Sequence, residues 1–254
     1  MELVKATNLT KVYGEYKVEN ATKALNGVSL QVQAGEFIGV MGPSGSGKST
    51  LVNILSGITA PTTGAVEIEG KEINQMDQDE MAVFRRRKLG FVFQDFNLLE
   101  HLTVKENIML PMVLEKRPKE EMEQKASAIM KQFGIEHLEN KYPYNISGGQ
   151  QQRVAVSRAL INDPILVFAD EPTGNLDSKS ANAVMNCFSD INEQNKATIL
   201  MVTHDVFAAS FCKKIIFIKD GQIAMEIVRK GTRKEFFDYI LDCQAMIGGV
   251  SNDL

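Results

Sequence analysis

The segment Gly42-Pro43-Ser44-Gly45-Ser46-Gly47-Lys48-Ser49-Thr50 constrains this chain more than any other stretch. It has the form G-x-x-x-x-G-K-[ST] and lies between the apolar run Phe37–Met41 and the helical run Leu51–Leu55. A strand must lead into a glycine-rich turn and then into a helix. The glycines let backbone N–H groups point inward at phosphate oxygens. Lys48 adds a point charge for the β- and γ-phosphates, and the Ser49 hydroxyl is placed to ligate Mg²⁺. The helix that starts near Lys48 turns its positive N-terminus toward the same anion. A chain of this composition would carry the pattern by chance roughly 0.01 times, so the match is a phosphate site.

At 254 residues the chain can bury a full core without disulfide or metal staples. Lys plus Arg is 28 and Asp plus Glu is 32, a net charge of −4. That excludes the overall basic footprint of non-specific nucleic-acid binding, and no nucleic-acid partner is expected. Cys187, Cys212 and Cys243 lie far apart without a CxxC pair, so they read as reduced thiols of an intracellular protein. The first 14 residues mix Glu2, Lys5 and Lys11 into apolar neighbours, unlike a secretory leader. The longest apolar stretch, Ile165–Ala169, is far short of a membrane span.

Short apolar runs, each followed by a turn or a helical pattern, predict an α/β chain with a buried parallel sheet. The candidate strands are Phe37–Met41, Phe91–Phe93, Ile165–Ala169, Thr198–Val202 and Lys214–Ile218, with Gln222–Val228 as a last strand. The first 40 residues and Ala65–Glu69 alternate more and suit an antiparallel layer beside that sheet. Between Gln94 and Asn162, Met122, Ala126, Ile129, Met130 and Phe133 recur at helical spacing, which reads as an inserted helical subdomain. The expected division is a core of 1–93 and 162–229, a helical subdomain of 94–161 and a tail of 230–254. In the tail, Phe236, Phe237, Ile240 and Leu241 form one helical face, buried on the chain's own core or against a partner.

The apolar run ending in Asp170-Glu171 carries two carboxylates at a strand's end. Beside a phosphate loop, this suggests Asp170 in the Mg²⁺ shell and Glu171 as the base that polarises the attacking water. Ile146-Ser147-Gly148-Gly149-Gln150, followed by Gln151-Gln152-Arg153, lies just before that strand. Ser147 can cap the next helix, and the two glycines permit close backbone approach.

This segment resembles the LSGGQ signature of the ABC-transporter ATPases, with Ile146 in place of the leading leucine. The resemblance covers roughly residues 2 to 228 and implies a RecA-like phosphate-loop core. By that resemblance Tyr13 stacks on adenine, Gln94 reaches the metal and the γ-phosphate side, Asp177 belongs to the loop after Gly174-Asn175-Leu176, and His204 contacts the γ-phosphate. Asp177 could equally be a helix N-cap. The resemblance further implies Mg²⁺-dependent hydrolysis of two ATP molecules closed between two copies of the chain. One copy's phosphate loop then faces Ser147, Gly148, Gly149 and Gln150 of the other. It also implies a separate transmembrane permease, with this subunit held at the cytoplasmic face of the membrane.

Met41–Asn53, Phe91–Leu99 and Asp170–Asp177 look like the lipoprotein-release, macrolide-efflux and cell-division branch. Val202–Asp205, Ala208–Ser210, Ile216–Gly221 and the tail through Ile247-Gly248-Gly249-Val250 are similar to the bacitracin-resistance (Bce-type) peptide-antibiotic ATPases. That subset implies a permease with a large extracellular domain, often signalling through a histidine kinase. The alternative within the branch is ATP-gated signalling or lipoprotein-release work without peptide transport. A DNA-repair or translation ATPase would need a long coiled-coil or zinc insert, or a second motif set, which the sequence lacks. Two runs stay open. Arg85-Arg86-Arg87-Lys88 could meet acidic lipid, the permease or only solvent, and Phe96, Leu98, Leu99 and Leu102 could be core or a permease-docking surface.

Overall fold

The computed structural model describes residues 1–14 and 21–248. The last residues named in the tail resemblance, Gly249 and Val250, lie outside the described residues. In chain order the elements are β1 (Glu2–Tyr13), β2 (Thr22–Gln33), β3 (Phe37–Met41), α1 (Lys48–Leu55), β4 (Thr63–Ile68), β5 (Lys71–Glu72) and α2 (Gln78–Lys88). There follow β6 (Leu89–Val92), α3 (Val104–Leu114), α4 (Lys119–Gln132), α5 (Gly148–Leu160), β7 (Leu166–Asp170) and α6 (Ser178–Asn195). The last are β8 (Ile199–Val202), α7 (Val206–Ala209), β9 (Lys214–Lys219), β10 (Gln222–Val228) and α8 (Arg233–Gly248). They divide into two compact units, one of residues 1–82 with 198–254 and the other of residues 83–197.

In the first unit β3 is buried along its whole length, as its unbroken apolar sequence requires of a strand covered on both faces. It pairs in parallel with β8 on one side and β9 on the other. The Asp220-Gly221 turn, with both φ positive (50° and 74°), then reverses the chain into antiparallel β10. The strands β2-β1-β4-β5 form the expected antiparallel layer. The 219–222 turn ties layer and sheet together: Asn26 N donates to Gly221 O at 2.8 Å, and Gly221 N to Ser46 O at 3.1 Å.

The tail folds as α8, but on a different face from the one read in the sequence. Phe236, Ile240, Cys243 and Ile247 are buried, spaced i, i+4, i+7 and i+11, whereas Leu241 is 44% exposed and Phe237 only half-buried. The helix packs against α7. Arg233 lies 4.1 Å from the Phe211 ring centroid, and Lys219 Nζ donates to Ile247 O at 2.8 Å near the helix C-terminus. The packing reading of the tail therefore holds for this face.

In the second unit β6 and β7 run parallel, Val92 opposite Ala169, with the Phe91 and Phe168 rings stacked at 5.6 Å. The strand read at Phe91–Phe93 begins two residues earlier and ends before Phe93. Helix α5 packs on β6, α3 and α6. Its approach to β6 needs Gly90, where a Cβ would stand 2.6 Å from the Ala159 carbonyl oxygen. Arg86 and Arg87 of the basic run are both paired with Glu115, Arg87 Nε at 2.7 Å, and Arg85 and Lys88 are engaged as well. Phe96, Leu98, Leu99 and Leu102 are not core: none is buried, and Leu99 is 48% exposed.

Candidate active site

The first unit holds the phosphate loop. Where β3 ends, a Cβ on Gly42 would lie 2.0 Å from the Ile218 carbonyl oxygen, and one on Gly47 2.4 Å from that of Ala24. Only glycine fits at either point. Gly47, at φ 105°, opens α1 and, as a glycine, supplies no side-chain cap to the helix N-terminus. Lys48 Nζ donates to Gly42 O at 2.9 Å and Pro43 O at 2.8 Å, which holds the ammonium over its own loop. The Ser46 hydroxyl is buried with no hydrogen-bond partner among the described residues. A helix N-terminus opened by glycine, a folded-back ammonium and an orphaned hydroxyl together make a donor set suited to an anion.

His204 leaves β8 at the edge where Gly42 leaves β3, because Val40 pairs with Val202 in parallel register. The backbone around it is fixed. Thr203 N donates to Val40 O at 3.2 Å, Asp205 N to Thr203 Oγ1 at 3.0 Å, and Asp205 Oδ1 accepts from Phe207 N at 2.9 Å to cap α7. His204 itself is exposed. Tyr13 closes β1, 43% exposed, with Lys11 Nζ 5.2 Å from its ring centroid.

The second unit holds the carboxylates and the signature segment. Asp170 is the last residue of β7 and Glu171 follows at φ 46°, a left-handed turn off the strand. Parallel register brings Gln94 off β6 at the same edge. Its Nε2 donates to Asn175 Oδ1 at 3.1 Å, while Asn175 Nδ2 donates to Asp95 Oδ1 at 2.9 Å and Gln94 O at 3.3 Å. Gln152 Nε2 bridges the two strand ends, reaching Pro172 O at 2.7 Å and Phe93 O at 3.3 Å.

Ser147 caps α5 reciprocally: Ser147 N donates to Gln150 Oε1 at 2.9 Å, and the Ser147 hydroxyl accepts from Gln150 N. Asp177 is the N-cap of α6. The Ser180 hydroxyl donates to it at 2.6 Å and, with the backbone N–H groups of Ser180 and Lys179, holds the carboxyl below its ordinary range. A Cβ on Gly149 would meet Ser180 Cβ at 2.7 Å, so the starts of α5 and α6 pack side by side.

Sequence reasoning missed the amides that hold these loops. Asn107, buried in α3, donates to Leu99 O, Leu102 O and Thr103 O at 3.0 Å each and accepts from Leu99 N at 2.8 Å. Asn175 and Gln152 lie inside the motif segments, but nothing local in a sequence says which distant carbonyl an amide will meet. The cysteines are free thiols, and burial pushes Cys187 up to about 11. Among the described residues no cluster of three or more His, Cys, Asp or Glu side chains could hold a metal.

The ABC transporter family model matches residues 25–174. The chain belongs to the ABC transporter ATPases. This ABC ATPase hydrolyses ATP and is the ATP-binding subunit of an ABC transporter. It is 51% identical over 249 residues to the uncharacterized ABC transporter ATP-binding protein YvcR of Bacillus subtilis (strain 168), covering 98% of this chain and 96% of that protein. It is 47% identical over 255 residues to the bacitracin export ATP-binding protein BceA of Halalkalibacterium halodurans, covering 100% of each. The cassette MJ0796 of Methanocaldococcus jannaschii, solved as a dimer in a post-hydrolysis state bound to ADP and Pi, matches with a TM-score of 0.81 at 42% identity. That match covers 90% of this chain and 100% of the other. Among the described residues no helix is long and apolar enough to cross a membrane.

Proposed function

We infer that this ABC ATPase powers a separate permease in resistance to peptide antibiotics, working at the cytoplasmic face of the membrane as an ATP-closed pair of identical copies. The observation that carries the reading is full-length similarity to a bacitracin export ATPase, through α8 as well as the nucleotide motifs. The half-exposed Phe96–Leu102 stretch, pinned by Asn107, is the permease-docking surface in this reading. A histidine kinase reached through the permease would leave no mark on this chain.

Each site residue has a role in this reading. Gly42, Pro43, Ser44, Gly45, Ser46, Gly47 and Thr50 wrap the phosphates with backbone and hydroxyl donors, and Lys48 neutralises their charge. Tyr13 stacks on adenine. Ser49, Gln94 and Asp170 would hold Mg²⁺, which neutralises charge as the terminal phosphoryl group transfers. Two or three oxygen ligands suffice, because magnesium keeps waters and phosphate oxygens in its shell. Glu171 takes a proton from the attacking water, and His204 donates toward the γ-phosphate oxygens. Ser147, Gly148, Gly149 and Gln150 complete the other copy's site, with Asp177 beside them. The helical subdomain is 94–161, the core 1–93 with 162–229, and the tail 230–254.

The chain purified from its own membranes should carry with it a permease with a large extracellular domain. Disrupting its gene should raise sensitivity to a peptide antibiotic, and a Glu171→Gln copy should not restore resistance. Recovery of a lipoprotein-release permease, or unchanged sensitivity, would move the function to the other members of the branch.

A further inference from the structure

Phe96 and Asn97, two and three residues beyond Gln94, both stand in the left-handed backbone region, at φ 60° and 48°. Asn visits this region at modest cost, but Phe96 is an aromatic residue that the surroundings must hold there against its own preference. The holding group comes from α5. Arg158 Nη2 donates to Phe96 O at 2.9 Å, and Nη1 donates to Asn97 O at 2.6 Å. Successive carbonyls of an extended segment point to opposite sides, so one planar fork can take both only while the turn is kept. Arg158 pairs with no carboxylate among the described residues, and burial lowers its pKa. A half-buried cation satisfied by two carbonyls depends on that turn as much as the turn depends on it.

The same helix links this contact to the rest of the loop. Ser147 lies 11 residues before Arg158 (158 − 147), about 16 Å along a helix. Between them Gln152 holds Phe93 O and Pro172 O. A rigid rod thus carries the signature segment at one end and the clamp on the glutamine loop at the other.

We propose that Arg158 is a positioning residue for ATP hydrolysis, its fork keeping the Phe96–Asn97 turn in the form that presents Gln94 to the nucleotide. This rests on Gln94 acting at the metal and γ-phosphate side. The test uses the full chain and steady-state ATPase. Arg158→Met removes the fork and keeps an apolar chain of similar length, and the carbonyls it leaves lie in a partly exposed loop where water can take the donor's place. Its fold and ATP affinity should be retained with at most a small drop in melting temperature, while kcat falls ~3–30-fold. Adding Asn97→Gly, which removes the remaining cost of a left-handed φ at that position, should recover part of the lost kcat. A wild-type kcat in Arg158→Met, or a loss that Asn97→Gly leaves untouched, would overturn the proposal. If Arg158→Met does not fold, Arg158→Lys serves in its place, since one ammonium does not reproduce the fork, and the same outcomes decide. Gln94→Ala separates the two readings: undiminished turnover in that variant removes the role of Gln94, whatever Arg158 does.

Discussion

At the scale of single residues, the proposed roles assign affinity to charge placement and turnover to proton transfer, and single substitutions separate the two. Lys48 already sits over the loop through Gly42 O and Pro43 O, so its charge is preorganised for phosphate. One charge-assisted contact is worth ~1.5–3 kcal/mol, so Lys48→Ala should weaken ATP binding ~10–150-fold in a nucleotide titration. Equal titration curves would remove Lys48 from the site. Glu171→Gln keeps the shape at the end of β7 and removes the proposed base. It should bind ATP as wild type does and lose turnover by ~10²–10⁴ in complex with the permease. Activity within a few-fold of wild type would assign the proton to another group.

At the scale of elements, short polar clamps join helices that sequence periodicity describes one at a time. Glu115, at the end of α3, takes Arg86 and Arg87 from the end of α2, and first of all the hydrogen bond from Arg87 holds its carboxyl below the ordinary range. A depressed folded-state pKa contributes stability that is present above the unfolded value and lost as pH falls through the folded one. Melting temperatures of wild type and Glu115→Gln should therefore differ at neutral pH and converge as acid protonates Glu115. A gap that does not shrink in acid would mean that the clamp works through packing. In α8 the buried side chains matter more than the exposed ones. Phe236→Ala should cost ~3–5 kcal/mol in denaturant unfolding, whereas Leu241→Asp, on the outward face, should leave stability near wild type.

At the scale of the whole molecule, the site is read as complete only when a second copy closes over it. The capping box at Ser147 and the tight contact between Gly149 and Ser180 fix the start of α5 within one chain, the end that in the proposed function faces another copy's phosphates. Ser147→Arg should leave ATP binding by one copy intact and block ATP-dependent dimerisation, by crowding and charging that helix terminus. Gel filtration of Glu171→Gln with and without Ser147→Arg, in the presence of ATP, tests this directly, and persistence of the dimer in the double variant would end the two-copy reading. Deleting residues 231–254 would strip α8 from its bed and give an insoluble chain, so surface changes at Tyr239, Leu241 and Met246 are the cleaner probe of any partner there.

The sequence by itself determined the phosphate loop, the buried strands and the carboxylates at the end of β7. Each is a local pattern whose chemistry tolerates few alternatives: Gly42 and Gly47 leave no room for a Cβ, and β3 is apolar throughout. The family followed from the Ile146–Gln150 segment, whose glycines and capping serine are likewise set within a few residues. Only the tertiary structure decided which side chains hold the loops. Arg158, Gln152 and Asn175 act on carbonyls and amides brought near by folding, up to 81 residues away in the chain for Asn175, whereas Asn107 reaches back only to the loop just before its own helix. The face of α8 was settled the same way. Several rows of a helix can look apolar in sequence, and the neighbour that packs on it selected Phe236, Ile240, Cys243 and Ile247 and left Leu241 to solvent.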